Sequence, residues 1–184
     1  ALESGRGHVF IPDPISSSGN LKLSPTASNL DDYREEVEIA RLTGKGILEG
    51  LYVEVRNGTK CKGGFGAYQP DQRFLYSHSD FQFQETMTYH YGDSYREHLN
   101  QIGYLQPSRK VTLIAHCADE DNAYYLRGAD ASGKPQDQVC LGDSVATKGA
   151  SYSDDAAVII HELQHATTVD AYSQVQNLNR FWYD

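Results

Sequence analysis

Two histidines and a glutamate near the carboxyl end of the chain have the types and spacing of a metal-dependent hydrolytic site. His161, Glu162 and His165 form the pattern His-Glu-x-x-His. On an α-helix, residues four apart lie one turn apart on the same face, so the two imidazoles can converge on one ion. Neutral imidazole is a good zinc ligand. Glu162 is then placed to take a proton from a zinc-bound water as a general base, without binding the metal itself.

This chemistry requires a helix, and the surrounding sequence favours one over residues 153–178. Residues 156–166 form a largely apolar run around the motif. Ser153 is a good N-cap, and Asp154 and Asp155 suit the first turn because the helix dipole favours acidic side chains there. The alternative interpretation is an amphipathic surface helix whose two histidines bind no metal.

A catalytic zinc ion needs a third protein ligand, and the residues just after the motif do not supply it at a known spacing. The metzincin pattern places a histidine or aspartate six residues past the second histidine. Ala171 occupies that position, so the metzincin interpretation fails.

The first 80 residues are predicted to be β-rich or extended. Residues 1–30 contain three prolines and a serine-glycine run, which indicate an extended or looped segment lying across the surface. Residues 48–55 partly alternate with a period of two, which favours a strand. The Asn57-Gly58 step that follows predicts a hairpin turn.

A helix is predicted over residues 81–104 and further strands over residues 105–150. The helix has a core-facing stripe at steps of three and four, and Gly103 is placed to end it. The stripe consists of Met87, Tyr91, Tyr95, Leu99 and Ile102. Strands are predicted at Val111–Ala115 and 138–141. This order predicts an α+β fold, with a β-rich N-terminal lobe, a core-packing helix and a C-terminal helix that carries the motif.

Composition excludes two classes of partner. The chain has 184 residues, with 16 basic and 25 acidic side chains and a net charge of −9. Non-specific nucleic-acid binding needs a positive field, so we expect no nucleic-acid partner. No apolar run approaches the roughly 18–20 residues of a membrane span, so we expect no membrane partner either.

Three cysteines leave the redox compartment open. Cys61, Cys117 and Cys140 include no Cys-x-x-Cys pair, so a cysteine metal site is disfavoured. One disulfide plus one thiol, or three reduced core cysteines, both fit this count. His116 beside Cys117 suggests a second metal site, but a core histidine is the favoured interpretation.

The sequence resembles the thermolysin-like and fungalysin-like gluzincin metallopeptidases. Beyond the zinc motif, residues 121–125 (Asp-Asn-Ala-Tyr-Tyr) look like the family's Asn-Ala-aromatic-aromatic edge strand. Residues 83–104 are similar to the helix beneath the family's sheet, and residues 139–144 to the strand and turn before the catalytic helix. Residues 9–14 look like the start of a mature fungalysin-type chain. The resemblance covers most of the chain in the family's order.

The resemblance implies a secreted zinc endopeptidase, extracellular or periplasmic, that is made as a zymogen. Residues 1–184 would be a single N-terminal lobe, with the motif helix at the floor of a cleft. The C-terminal lobe would be absent from these residues, and the third zinc ligand would be a glutamate downstream of Asp184. Partners would be a peptide or protein substrate and the missing lobe or a propeptide. The 184 residues alone are expected to be inactive.

The resemblance also assigns substrate-binding residues. Asn122, through its side chain, and Ala123, through its carbonyl, would hold the substrate backbone, with Tyr125 in the same site. The edge strand is expected to end at Ala123 beside the cleft. A strand in that place can pair with an extended peptide, which is the physical basis of this expectation. Zinc is the expected cofactor. Calcium is a further possibility at the acidic residues 119–121, for which a solvated loop is the favoured interpretation.

Two other functions stay open from the residues alone. One is a non-catalytic peptide-binding module that keeps the edge strand and binds no metal. The other is an aminopeptidase-type His-Glu-x-x-His enzyme. A purely structural interpretation also exists for the Asn-Ala segment, in which Asn122 caps a turn and the two tyrosines belong to the core.

Overall fold

A computed structural model describes residues 1–104, 109–129 and 135–176. Within them the fold is α+β, as predicted, with three α-helices and two mixed β-sheets. The elements in chain order are β1 (Glu3–Val9), α1 (Pro14–Ser18), a 3-10 turn (Leu30–Tyr33), β2 (Glu35–Leu42), β3 (Val53–Asn57), β4 (Arg73–Phe74), α2 (Gln82–Gln101), β5 (Val111–Ala115), β6 (Ala123–Ala129), β7 (Pro135–Leu141), a second 3-10 turn (Tyr152–Asp154) and α3 (Ala156–Gln176).

The first sheet has the order β2-β1-β4, so the chain begins with a central strand. β1 is extended, as one of the two predicted conformations, but it does not lie across the surface as expected. It is a central strand that pairs antiparallel with β2 and parallel with β4. Gly5 weakened the strand signal in the sequence, but close packing requires it. A β-carbon there would lie 2.2 Å from the carbonyl oxygen of Gln72. Phe10, just after β1, is fully buried.

The second sheet has the order β3-β5-β7-β6. Its first three strands are parallel, and β5 covers the Val111–Ala115 segment predicted from sequence. β6 lies at the edge and pairs antiparallel with β7. The described residues include no strand on its other side. The predicted edge strand therefore exists, but Ala123 begins it instead of ending it.

α2 is a largely buried helix that contacts strands of both sheets. Its predicted stripe is mostly correct, since Met87 and Leu99 are buried and Tyr91 is half-buried. Ile102 is an error, because it follows the last helical residue and its side chain is 64% exposed. Gly103 ends the helix as predicted, with a φ of +80° that favours glycine.

α3 begins three residues later than predicted. Ser153 lies in the short 3-10 turn and does not cap the helix. Asp155 takes that role, because its carboxylate accepts a hydrogen bond of 2.7 Å from the amide of Ala157. The described part of α3 ends at Gln176, so the last two residues of the predicted helix 153–178 lie outside the described residues.

The Asn57-Gly58 step does not form the predicted hairpin. β3 and β5 are parallel, and the amide of Gly58 continues their pairing by donating to the carbonyl of Ala115 at 3.0 Å. The chain turns back only later, where Asn57 pairs with Gly64. Gly58 is needed for close packing, because a β-carbon on it would lie 2.6 Å from the α-carbon of Cys117.

We expect Gly58→Ala to lower the free energy of unfolding by about 1–3 kcal/mol, because the methyl group would meet backbone atoms that cannot move aside. Gly128→Ala is the control, since a β-carbon at Gly128 meets nothing within 4 Å. That variant should stay within about 0.5 kcal/mol of wild type. Urea unfolding followed by circular dichroism measures both. Equal stabilities for the two variants would contradict the tight β3–β5 packing.

Candidate metal centre

α3 presents the two histidines of the motif on the face opposite its buried stripe. Ile159 and Leu163 are fully buried in the larger hydrophobic cluster. At about 100° per residue, this fixes the rotation of the helix and turns His161 and His165 towards solvent. Glu162 falls between the two faces and is only 9% exposed.

The three side chains of the motif lie close together. One nitrogen from each histidine and one carboxylate oxygen of Glu162 all lie within 4.8 Å of one another. The two imidazole centroids are 5.0 Å apart. Nε2 of His165 is 4.0 Å from Oε2 of Glu162.

This donor set fits zinc, since two imidazoles and a nearby carboxylate are its ordinary protein environment. Among the residues that the structure describes, this is the only group of three or more histidine, cysteine, aspartate or glutamate side chains close enough to hold a metal ion. Apart from Glu162, the described residues offer no third ligand next to His161 and His165.

The edge strand β6 lies beside this group, because α3 packs against it. The ring of Tyr125 stacks on the imidazole of His165, with centroids 6.4 Å apart and planes inclined by 25°. Asn122 is exposed just before the strand, and Ala123 pairs with Leu141 at its start. The structure therefore brings Tyr125 to the histidines, whereas Asn122 and Ala123 lie further along towards the end of the sheet.

Asp137 is a residue of this region that the sequence analysis missed. It lies on β7 and is only 1% exposed, although it carries a carboxylate. The hydroxyl of Tyr125 donates a hydrogen bond to it, and Arg109 forms an ion pair with it. Period-two alternation places Asp137 on the same face as the buried residues Val139 and Leu141. An acid at an inward position of a strand is the signal that could have identified it.

His116 is a core histidine, as favoured from sequence. It is 6% exposed, with Nδ1 2.7 Å from Oδ2 of Asp143 and Nε2 3.0 Å from the carbonyl of Phe81. Both partners accept hydrogen bonds, so the imidazole donates from both nitrogens and carries a positive charge. Cys117 is bound in a disulfide with Cys140 and is no metal ligand.

The charge of His116 is consistent with its surroundings. Burial alone would lower the pKa of His116, but the hydrogen bond and the negative charge of Asp143 outweigh it and the pKa is raised. Burial would likewise raise the pKa of Asp143, and the hydrogen bond and charge of His116 lower it instead. The pair is therefore ionised on both sides.

A second histidine–aspartate pair stands at the entry to α3. Nε2 of His78 is 3.0 Å from Oδ2 of Asp154, whose other oxygen accepts from the side chain of Gln84 at 3.0 Å. Burial opposes the charge of His78, but the hydrogen bond to Asp154 prevails and the pKa of His78 is raised. These contacts fix the turn from which the motif helix starts.

The remaining sequence expectations concern the acidic loop and Cys61. Asp121 accepts hydrogen bonds from the hydroxyl of Ser144 and the amide of Ala146, contacts within its own region. Calcium at residues 119–121 stays a prediction. Cys61 is a free thiol. The chain therefore has one disulfide and one thiol, the first of the two arrangements left open by the sequence.

Comparison with known proteins gave no matching family model and no significantly similar curated protein. Among the described residues, no helix is both long enough and apolar enough to span a membrane.

We expect Asp143→Asn to lower the free energy of unfolding by about 1.5–3 kcal/mol near pH 6, because it removes a buried charge-assisted hydrogen bond. Since the pKa of His116 is raised in the folded state, this contribution is fully present below the unfolded pKa of about 6.5. It is lost as the pH rises through the folded pKa. The gap between wild type and variant should therefore narrow by pH 9.

Urea unfolding at pH 6, 7.5 and 9 measures this gap. Asp121→Asn is the control, because the Asp121 carboxylate accepts its hydrogen bonds from Ser144 and Ala146 and not from a histidine. Its difference from wild type should not change over this range. A gap for Asp143→Asn that is the same at pH 6 and pH 9 would mean that His116 is neutral.

Proposed function

We propose that this chain is the zinc-binding lobe of a metallopeptidase of the thermolysin-like gluzincin type, which hydrolyses peptide bonds. The observation that carries the proposal is the convergence of His161, Glu162 and His165 on a helix beside β6, whose outer edge pairs with no other strand within the described ranges. The first feature supplies ligands and a base, and the second supplies a place for an extended peptide.

In this proposal His161 and His165 hold the zinc ion through their imidazole nitrogens. Both side chains are exposed, so an ion can reach them without unfolding the helix. When bound, zinc acts as a Lewis acid and lowers the pKa of water towards about 7.

Glu162 is the proposed general base. Its Oε2 is 4.0 Å from Nε2 of His165, close enough to accept a proton from a water held beside the histidines. Its side chain is only 12% exposed, because it borders the packed face of α3. That packing restricts the carboxylate and keeps it oriented for proton transfer.

The substrate would lie along the edge of β6. The outer backbone groups of this strand pair with no other strand among the described residues, so they can hydrogen-bond an extended peptide. Asn122 is exposed at the start of the strand, where its amide can donate to and accept from a peptide group. The carbonyl of Ala123 is the second proposed contact with the substrate backbone.

The proposal assigns the third zinc ligand to a glutamate downstream of Asp184, in a C-terminal lobe that would complete the cleft. It also assigns the protein to an extracellular or periplasmic location, as a zymogen. The disulfide between Cys117 and Cys140 supports an oxidising compartment. Without the third ligand, the 184 residues are expected to bind zinc weakly and to be inactive.

A peptide-binding module without metal is the second candidate, because the free edge of β6 alone would serve it. An aminopeptidase would need acidic groups that grip a free amine, and no observation favours it here. Zinc binding separates the peptidase from the module.

We expect the chain to bind zinc and His165→Ala to lose at least tenfold in affinity, because one of two imidazole ligands is removed. Competition with a chromogenic chelator at pH 7.5 measures the dissociation constant. His98→Ala is the control, since His98 is an exposed histidine in the last turn of α2. Equal zinc affinity in wild type and His165→Ala would contradict the ligand assignment.

We expect Glu162→Gln to keep the zinc affinity of wild type, because Glu162 is a base and not a ligand. In the longer polypeptide that carries the third ligand, the same change should lower the rate of peptide hydrolysis by about 10²–10⁴. Glu36→Gln serves as the matched control, since Glu36 lies on β2 in the other sheet, where it is exposed and pairs with Arg6. Unchanged hydrolysis by Glu162→Gln would remove Glu162 from the mechanism.

A further inference from the structure

A buried carboxylate on β7 connects the sheet to the motif helix. Asp137 is 1% exposed, and a charge in such a place is unfavourable unless it is paired and hydrogen-bonded. Its partners are the guanidinium of Arg109 and the hydroxyl of Tyr125. An apolar residue would fit this inward position of the strand with no need of partners. We therefore expect the main effect of the carboxylate to be that it fixes the positions of its two partners.

Tyr125 transmits this restraint to α3. Its hydroxyl is anchored on Asp137, and its ring stacks on His165 at 6.4 Å with an angle of 25°. This separation lies within the range of offset aromatic contacts. The three residues form a continuous series of contacts, from the buried strand β7 through the edge strand β6 to the helix. We refer to them as the Asp137–Tyr125–His165 chain.

His165 needs such a restraint more than a buried histidine would. Its side chain is 52% exposed, and an exposed imidazole samples several orientations. A metal ion selects one of them, and ordering the ring at the moment of binding weakens affinity. The neighbouring ring of Tyr125 limits the rotation of the imidazole beforehand, and so does the ring of His161, whose centroid lies 5.0 Å away.

We propose that Tyr125 and Asp137 are positioning residues, which hold the imidazole of His165 in the orientation required for metal binding. The proposal rests on the proposed function of the motif as a zinc site. It gives Tyr125 a role different from the substrate contact implied by the resemblance, because its hydroxyl is already bonded and its ring already packed. The backbone of β6 is left for the substrate.

The two residues act in different ways, which specific variants separate. Tyr125→Phe keeps a ring but removes its anchor on Asp137. Tyr125→Leu removes the flat surface against which His165 stacks. Asp137→Asn keeps the size of the side chain but removes the negative charge that pairs with Arg109 and leaves one oxygen to accept from the Tyr125 hydroxyl.

The first test is zinc affinity, measured on the 184-residue chain by chelator competition at pH 7.5. We expect Tyr125→Leu and Asp137→Asn to weaken zinc binding about tenfold, as is usual for residues that support a ligand, and Tyr125→Phe to weaken it less. Tyr89→Phe is the matched control. It also removes a tyrosine hydroxyl bonded within the core, to the carbonyl of Ala40 at 2.9 Å, but lies on α2. It should stay within about twofold of wild type.

The second test needs no metal. In the metal-free protein, the ring signals of His165 in the NMR spectrum should move on Tyr125→Leu, because the ring current of the tyrosine is lost, and should move less on Tyr125→Phe. A loss of stability alone would not produce this change, and Tyr89→Phe should leave the signals in place. Circular dichroism checks that each variant is folded. If Asp137→Asn does not fold, Tyr125→Phe alone tests the hydrogen bond between the tyrosine hydroxyl and Asp137.

The outcomes separate the two proposals. If wild type binds zinc and all Tyr125 and Asp137 variants bind it equally well, the positioning role is overturned. If wild type binds no zinc, the proposed function fails, and the His165 signals alone decide the positioning role. If wild type binds no zinc and the His165 signals are also unchanged in Tyr125→Leu, the positioning role is overturned together with the proposed function.

Discussion

The polar side chains buried on α2 impose the main constraint on this structure, because each must find a partner inside the protein. Glu85 is 1% exposed, and its oxygens accept from the side chain of Asn57 at 2.7 Å and the amide of Ala67 at 2.6 Å. Burial raises the pKa of Glu85, and these hydrogen bonds oppose that rise. The loop that follows β3 is thus held against the helix by one carboxylate.

Further along α2, Asp93 forms an ion pair of 2.5 Å with Arg41 of β2. One helix therefore connects both sheets through polar contacts as well as through its apolar side chains.

The need to pair buried polar side chains of α2 also affects the candidate metal centre. Gln84 on α2 donates to Asp154, which also bonds His78, so the turn before α3 is held from two directions. Once that turn is fixed, the burial of Ile159 and Leu163 sets the rotation of α3 and with it the direction of both histidines of the motif. The geometry of the site is therefore decided largely by residues other than the histidines and the glutamate themselves.

Sequence reasoning succeeded where the signal is local and failed where it depends on distant contacts. Periodicity and a glycine stop identify α2, an apolar β-branched run identifies β5, and the spacing of the motif identifies which face of α3 carries the histidines. β1 was missed because Gly5 is a poor strand former, and its value appears only beside Gln72. The Asn57-Gly58 step is a good turn signal, but its glycine is explained by close packing on Cys117. The role of Asp137 could not be predicted from sequence for the same reason. Its partner Arg109 is distant in sequence, and its partner Tyr125 lies on another strand.

The position of Glu162 follows from helical geometry and bears on its chemistry. A residue next to the first histidine is rotated from it by about 100°, whereas the second histidine is rotated by only about 40°. If both histidines face solvent, the glutamate must therefore lie at the border of the packed face, and its exposure of 9% agrees with that position. The same rotation that exposes the two histidines thus keeps Glu162 beside them, with Oε2 4.0 Å from Nε2 of His165, but out of line with them. In the proposed zinc site, that position suits a group that exchanges a proton better than one that binds the metal.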